Sequence, residues 1–453
     1  MRIAIVGAGP SGFFAAGHLL GRGHEVDLFD RLPTPWGLVR GGVAPDHPNI
    51  KSVSRVFEKI AGRPGFRFFG NVEIGSDVSH EQLLGWYDAV VYSVGTAIDR
   101  RSGVPGEELP GSHSATEFVG WYNGHPDYRD HDFDLSGERA IVIGNGNVAI
   151  DVARMLTLTH EELIATDAAD HAIEALDAAG ICEIVVLGRR GPHQAAFTNP
   201  ELLELGELRD ADVVVDPFDL QVDDAHVDGE LDEVLEHTME ILGGYAARTP
   251  GGKRKRVVLK FLSSPVALLG DGRVEAVRVV RNRLERDAGG TLRARGTGLT
   301  QEIPAGIVFR AIGYQGVAVP GVPFDATTGL IPNDGRGRVA GAERTYVAGW
   351  IKRGPSGVIG TNKRCAIDTV KALLEDAEAG LLARRRATAA APADEVEREL
   401  RARVPDLVDQ AGWESIDAAE RAAGEPAGRP RVKLTTVPDL LDAAGAIAKE
   451  AVR

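Results

Sequence analysis

Residues 140–151 read AIVIGNGNVAID. An apolar run stops on Gly144 and Gly146, with Ala149 in third place, and helical sequence begins at once. A strand that turns through Gly-x-Gly into a helix is the local shape that cradles a pyrophosphate. The first glycine permits the tight turn, the second lets backbone approach the phosphates, and a small third residue lets helix pack on strand. The chain has the same device at its start, IAIVGAGPSGFFAAGHLL (3–20), with Gly7, Gly9 and Gly12 around Ser11. In each, the new helix offers unpaired N–H groups and about half a positive charge to an anion. Two such loops in one chain predict two dinucleotides.

The two loops have different sequels. After the first, the second strand runs HEVDLFD and ends on Asp30, about 20 residues on, where a carboxylate accepts ribose hydroxyls. After the second loop the corresponding strand ends in LGRRGP, with Arg189 and Arg190. An acid there would repel a 2′-phosphate; two guanidinium groups hold one. At about 1.5–3 kcal/mol for each charge-assisted bond, two would favour NADP(H) over NAD(H) by roughly 10²–10⁴. The plainer alternative is a solvated strand end. Some 45 residues separate this loop from its arginines, so a helical insertion, HEELIATDAADHAIEALDAAG, must lie between them.

The bulk numbers agree with a soluble multidomain protein. With 453 residues, 43% hydrophobic and 26% charged, two or three domains are expected. A formal net charge of −15 argues against a general nucleic-acid binder. Two cysteines, Cys182 and Cys365, are too few for a CxxC pair, a zinc site or an iron–sulfur cluster, so no metal is expected. MRIAIVGAGP lacks a signal-peptide shape, and no segment approaches the roughly 20 apolar residues of a membrane span. The expectation is a cytoplasmic monomer.

Short apolar runs ending near glycine recur at IAIV (3–6), VDLFD (26–30), AVVYSVG (89–95), AIVIG (140–144), EIVVLG (183–188), IVFRAIG (307–313) and TYVAG (345–349). Alternating with helical stretches, they predict α/β architecture with parallel sheets covered on both faces. Between 205 and 305, RTPGGKRKRVVLKFL and VRVVRNRLERD point to an antiparallel excursion. Beyond about 376 the chain is rich in Ala, Arg and Glu. There ATAAAPAD reads as a linker before a helix, and the aperiodic charge is compatible with partial disorder.

PTPWGLVRGGVAPDHPNIK (33–51), GNGNVAID, GRRGPHQAAFTNPEL (188–202) and GWIKRGPSGVIGTNK (349–363) closely resemble the adrenodoxin-reductase family, above all its bacterial NADPH–ferredoxin reductases. The resemblance runs from residue 1 to about 375, and GRPRVKLTTVPDLL looks like the end of longer members. It implies two Rossmann-like domains of glutathione-reductase type, with an NADP domain inserted into an FAD domain. The expected bounds are 1–98, 99–315 and 316–453, with an extension from about 376.

It also implies roles. Gly7 to Gly12, Asp30, Leu38 and Val72 would line FAD, and Arg100 would be a further cofactor contact. Trp350 and Gly357, Val358 and Ile359 would lie against the isoalloxazine and nicotinamide. Asn145, Gly146, Asn147, Val148, Arg189, Arg190 and Glu201 would contact NADP(H). His47 and Glu201 resemble the polar pair near the reacting rings. Asp30 departs from the family, which uses Glu there; the shorter arm calls for a water to reach the ribose.

The reaction implied is hydride transfer from NADPH to flavin N5, then single electrons to an iron–sulfur ferredoxin, such as one feeding a cytochrome P450. Stacked rings at about 3–3.5 Å suffice for the hydride, because the flavin carries the chemistry. The helix begun by SGVIG would aim its N–H groups at the flavin pyrimidine oxygens. His47, set between prolines in APDHPN, is either a backbone-bonded loop histidine or a group that tunes the flavin site. Glu201 after Pro200 either opens a helix or contacts nucleotide. An acidic ferredoxin needs basic ground on this acidic chain. RTPGGKRKR (248–256), including Lys253, Arg254 and Lys255, RVVRNRLER (278–286) and Arg209 are the candidates; the plainer alternative is a solvated basic hairpin. Three rivals remain: an FAD disulfide reductase, an electron-transfer subunit of a larger flavoenzyme assembly, and a flavin monooxygenase.

Overall fold

The computed structural model describes residues 1–221, 233–382 and 391–446. The chain divides into two compact units. One is Met1–Ile98, Asn123–Arg129 and Gly313–Arg453; the other is Asp99–Tyr122 and Asp130–Ile312.

In the first unit, strands β1 (Arg2–Val6), β2 (Glu25–Phe29), β3 (Phe66–Phe69), β4 (Ala89–Tyr92) and β16 (Thr345–Val347) form one parallel sheet in the order β16-β4-β1-β2-β3. Strand order reverses between β1 and β4, which opens a crevice at the carboxyl end of β1. Its helices are α1 (Pro10–Leu20), α2 (Leu38–Gly41), α3 (Pro48–Lys51), α4 (Ser54–Ala61), α5 (His80–Trp86), α12 (Trp350–Arg353) and α13 (Ile359–Glu378). The tail adds α14 (Ala393–Arg403), α15 (Gln410–Gly424) and α16 (Val437–Ala443). Alternate residues of β1 feed opposite cores. Ile3 and Ile5 pack with Phe13, Phe57, Val370, Trp413 and Leu440, while Ala4 and Val6 pack with Leu83, Trp86, Val396 and Leu400. The tail therefore closes both faces of the sheet. Each fully buried apolar side chain contributes about 1.5–3 kcal/mol, so α14 to α16 are structural parts of this core. The first half of the expected linker, 387–390, lies outside the described residues.

In the second unit, β6 (Ser112–Ser114), β7 (Arg139–Ile143), β8 (Glu183–Leu187), β9 (Ala211–Val215), β10 (Lys255–Lys260) and β14 (Ile307–Arg310) form a parallel sheet in the order β6-β14-β7-β8-β10-β9. Helix α6 (Ala115–Tyr122) belongs here. Helix α7 (Asn147–Met155) leaves the second glycine loop, and α8 (His160–Leu163) and α9 (Asp170–Asp177) form the predicted helical insertion. Helices α10 (Asn199–Leu205) and α11 (Glu233–Ala246) come next in the chain. The Lys255 ammonium is buried and donates to the Leu156 carbonyl at the far end of α7 (2.8 Å).

The antiparallel excursion is real but shorter than expected. It comprises β11 (Ser263–Leu269), β12 (Ala276–Arg286) and β13 (Leu292–Pro304). The basic run expected to open it, KRVVLK, is instead β10, parallel to both β8 and β9. Alternation along a strand reports which face is buried and is silent on strand direction. The short strands β5 (Ile98–Asp99) and β15 (Tyr314–Gln315) stand where the chain passes between units.

Candidate functional site

The first glycine loop joins β1 to α1 as its sequence predicts. Gly7 has φ +102°, and a Cβ there would stand 2.6 Å from the Ser93 carbonyl oxygen. A Cβ on Gly12 would collide with the Gly7 carbonyl oxygen. Gly9 differs: the nearest atom to its would-be Cβ is Gly37 Cα at 4.0 Å, an ordinary contact. Gly9 caps α1 with no side-chain hydrogen bond, which leaves the helix N-terminus open to an anion.

Asp30 accepts the Ala8 N–H (2.8 Å) and the Leu32 N–H (3.0 Å). Burial pushes its carboxyl above the ordinary range despite the opposing Leu32 and Ala8 N–H groups. The acid thus braces the loop, and each oxygen keeps a lone pair for a ribose hydroxyl. Val72 is buried and its N–H donates to the Asp30 carbonyl (3.0 Å); Leu38 is exposed on α2.

The segment Trp36–Gly37, inside the 33–51 motif, runs beside this loop, a placement that the glycine spacing alone does not signal. Trp36 donates to the Ala8 carbonyl (2.8 Å), and its φ of +84° is rare for a non-glycine residue. Farther along, His47 is buried as the N-terminal cap of α3, and its carbonyl accepts the Lys51 N–H (3.1 Å).

At the carboxyl end of β16, Gly349 has φ +79°, and a Cβ there would stand 2.5 Å from Ser11 Oγ. Trp350 comes next, half-buried and stacked on Tyr314 with ring centroids 5.7 Å apart. Its indole Nε1 is buried and has no hydrogen-bond partner among the described residues. Such an orphaned donor fits a site that an acceptor-rich ring completes. Gly357 (φ +78°) and Val358 lead into α13 from Ile359, and Val358 caps the helix without a side-chain bond. Arg353 holds this turn by donating to Ser356 and to Asn362 Oδ1 (2.7 Å). Cys365 is buried, its sulfur accepting the Gly349 N–H (3.3 Å), and Cys182 is exposed in the other unit.

The second loop repeats the first. Gly144 has φ +126°, and a Cβ on it would collide with the Ala311 carbonyl oxygen. Its N–H donates to Leu187 (2.9 Å), as that of Gly7 donates to Phe29 (2.8 Å). Gly146 caps α7 without a side-chain bond, and Ala149 is wholly buried. The Asn145 carbonyl accepts the Ala196 and Phe197 N–H groups (both 3.1 Å), and Asn147 Oδ1 accepts that of Thr198 (2.8 Å). Asn145 Nδ2 is buried without a partner among the described residues.

Val148 lies in the first turn of α7. Arg189 is exposed and Arg190 half-buried, just past β8. Glu201 is buried in the first turn of α10, with Arg154 Nη1 at 3.5 Å and Glu204 sharing that guanidinium. Arg100 is exposed in this same unit. The two glycine loops thus take matching shapes, one per unit, each leading into a helix whose N-terminus no side chain caps.

The basic runs fare differently. Lys253 donates to the carbonyls of Leu208 (2.6 Å) and Ala211 (3.3 Å), Arg254 pairs with Asp210 (2.5 Å), and Lys255 is buried. Arg256 pairs with Glu183, Arg278 with Glu302 (2.7 Å), Arg281 with Asp219, Arg283 with Glu285 (2.5 Å), and Arg209 with Glu162 (3.4 Å). Most of these charges are paired within the second unit, while the side chains of Arg209, Arg254, Arg256 and Arg283 stay largely exposed. Among the described residues, no helix is long and apolar enough to cross a membrane.

Residues 5–70 match a family model described as an NAD(P)-binding Rossmann-like domain. Over 97% of its length the chain is 51% identical to the NADPH-ferredoxin reductase FprA of Mycobacterium tuberculosis, covering 98% of that protein. It is 49% identical to FprA of Mycobacterium leprae, covering 97% of each chain. With the mitochondrial NADPH:adrenodoxin oxidoreductase of Arabidopsis thaliana it shares 39% identity over 98% of this chain and 95% of that one. Among solved structures, Mycobacterium tuberculosis FprA in complex with NADPH superposes with a TM-score of 0.92, covering 98% of this chain and 99% of the other.

Proposed function

The chain belongs to the adrenodoxin-reductase family, on its NADPH–ferredoxin reductase branch, and from that premise we propose that it carries electrons from NADPH through bound FAD to an iron–sulfur ferredoxin. The observation that carries this reading is the pair of cradles with opposite sequels, an acid after the first and two arginines after the second. The Met1–Ile98 and Gly313–Arg453 segments hold FAD, and the 130–312 segment holds NADPH. FAD, when bound, supplies the conversion of a two-electron donor's hydride into single electrons.

The chain's own residues bind, orient and exclude. The open N-terminus of α1 and the backbone at Gly9 hold the FAD pyrophosphate, Asp30 holds its ribose, and Val72 and Leu38 flank it. The α13 N-terminus and the Trp350 indole hold the flavin ring, with Gly357, Val358 and Ile359 leaving a flat surface for nicotinamide. Asn145 to Val148 hold the second pyrophosphate, Arg189 and Arg190 the 2′-phosphate, and Arg100 is a further cofactor contact. His47 and Glu201 set the polarity around the reacting rings. A monomer in the cytoplasm completes the reading.

Purified protein should be yellow, with about one FAD per chain. Mixed anaerobically with NADPH it should bleach, and added ferredoxin should restore the colour. Colourless but folded protein ends the reading. Bleaching with no transfer to any ferredoxin tried would favour an electron-transfer subunit or a monooxygenase, and a dithiol that titrates with the flavin would favour a disulfide reductase.

A further inference from the structure

The 2′-phosphate arginines lie beyond the end of β8, where a chain would ordinarily be loose. Here it is not. The Gly188 N–H donates to Lys260 (2.8 Å), and the Gly188 carbonyl accepts the Ser263 N–H (2.9 Å). The Arg190 carbonyl accepts the Leu262 N–H (3.0 Å). Leu262 has φ +49°, a costly conformation for a branched apolar residue, and the Asn282 N–H donates to its carbonyl (2.7 Å). The remaining carbonyl, that of Arg189, accepts Asn282 Nδ2 (2.8 Å), and the same amide donates to Ser264 Oγ (2.7 Å).

Asn282 is 5% exposed and sits where the β12–β13 ladder slips register, between Val280 and Asn282. A bulge of this kind re-aims a side chain. Next to it Arg281 pairs with Asp219, whose other oxygen accepts the Phe261 N–H (2.9 Å), so the support is itself braced. Asn282 thus holds the Arg189 carbonyl directly through its buried amide and, through its backbone N–H on Leu262, backs the bond that holds the Arg190 carbonyl.

We propose that Asn282 is a specificity-positioning residue: its amide fixes the Arg189 carbonyl and thereby aims the Arg189–Arg190 pair at the 2′-phosphate of NADPH. This rests on reading those arginines as the phosphate's ligands. Asn282→Ala loses the donor, and Asn282→Asp puts a carboxylate of the same shape against a carbonyl it cannot donate to.

The test is equilibrium binding of 2′,5′-ADP by calorimetry, with kcat/KM for NADPH and NADH and with thermal unfolding of each variant. Both substitutions should weaken 2′,5′-ADP binding and lower NADPH kcat/KM by ~10-fold or more, with Asp the worse and NADH use unchanged. Asn282→Gln, which keeps a donor, should recover part of the loss. Unchanged 2′,5′-ADP binding would overturn the proposal, as would equal losses for NADPH and NADH in folded protein. An Arg189→Ala, Arg190→Ala variant run alongside separates the two claims. If it discriminates and the Asn282 variants do not, only this inference fails; if it does not, the 2′-phosphate reading itself fails.

Discussion

Arg40 and Glu420, 380 residues apart, form a two-pronged ion pair inside the first unit, with Nη1 to Oε2 at 2.8 Å and Nη2 on Oε1. Glu420 is wholly buried and also accepts from Arg431 (3.0 Å) and the Leu434 N–H (2.9 Å). Arg40 belongs to the turn that carries Trp36 and Gly37 beside the first cradle. Arg40 lies over the Trp413 ring (5.6 Å) and Arg431 over Trp36 (5.6 Å), so the tail grips that turn from outside.

Glu420→Ala should therefore destabilise the protein by about 3–5 kcal/mol, because it strands the Arg40 guanidinium and leaves Arg431 with Asp417 alone (2.7 Å). Burial alone pushes the Glu420 carboxyl up; Arg40, with Arg431, outweighs burial and holds it below the ordinary range. A depressed acid contributes stability above its unfolded pKa, about 4.3, and loses it as pH falls through the folded value. In denaturant titrations, Glu420→Gln should be clearly weaker than the parent at pH 7, and the gap should narrow below pH ~4.3. A gap that does not change with pH would show that the carboxylate charge is not what matters.

His125 adds a second acid sensitivity, by the reverse route. Burial pushes its imidazole down to about 4, with Arg31 and Arg40 adding to the effect and Asp127 opposing it. Its Nδ1 accepts the Asp127 N–H (3.2 Å). The folded chain refuses a proton that the unfolded chain takes up below 6.5, so stability falls as pH drops from 6.5 toward about 4. The loss over that window should be roughly 2–3 kcal/mol. His125→Asn, which keeps an acceptor for the cap, should flatten it in denaturation curves at pH 7 and 4.5.

Gly9 and Gly12 should fail in different ways. Gly12→Ala drives a Cβ into the Gly7 carbonyl and should yield little folded protein. Gly9→Ala meets only ordinary contact, so the flavin-free protein should melt as the parent does. Its methyl nevertheless occupies the pyrophosphate approach, and FAD binding should weaken by ~10–150-fold, the worth of one charge-assisted bond. Fluorescence of released flavin measures this. Parental FAD affinity in Gly9→Ala would remove the pyrophosphate from that position.

Arg189→Ala with Arg190→Ala should raise the NADPH KM by roughly 10²–10⁴ and leave NADH use nearly unchanged. Steady-state rates with each nucleotide decide it. Equal losses would argue that the arginines serve the fold.

Charge reversal at Lys253, Arg254 and Lys255 tests the fold rather than docking. Lys255 is internal, and the triple Glu variant should lose thermal stability before it loses ferredoxin affinity. Lys255→Met alone should cost about 1–3 kcal/mol by leaving the Leu156 carbonyl unpaired. A triple variant that melts like the parent yet reduces ferredoxin more slowly would support docking at this run.

Both cradles were legible because glycine spacing is a local constraint: the collisions at Gly7, Gly12 and Gly144 come from backbone within a short reach or on the next strand. Asp30, Arg189 and Arg190 stand past the ends of β2 and β8, where the strand pattern put them. KRVVLK misleads because charge and alternation do not encode direction, and the lysine that looks most exposed is buried against a helix end. Aperiodic charge hid the tail's fold. Arg431 and Lys433 look like solvated residues in the sequence, yet both are buried, and their partners Glu420, Arg40 and Asn123 lie far away or in another segment of the chain. Asn282 carried no signal at all, since its role depends on a register slip.

Helix α7 begins at an open phosphate cradle and ends under the Lys255 ammonium. Helices fray from their termini, and here the terminus remote from the glycine loop is pinned. On the proposed reading a visiting coenzyme meets a helix already held at its far end, so less of its ordering cost falls on that end. That is a sensible division for a ligand that arrives and departs with every turnover.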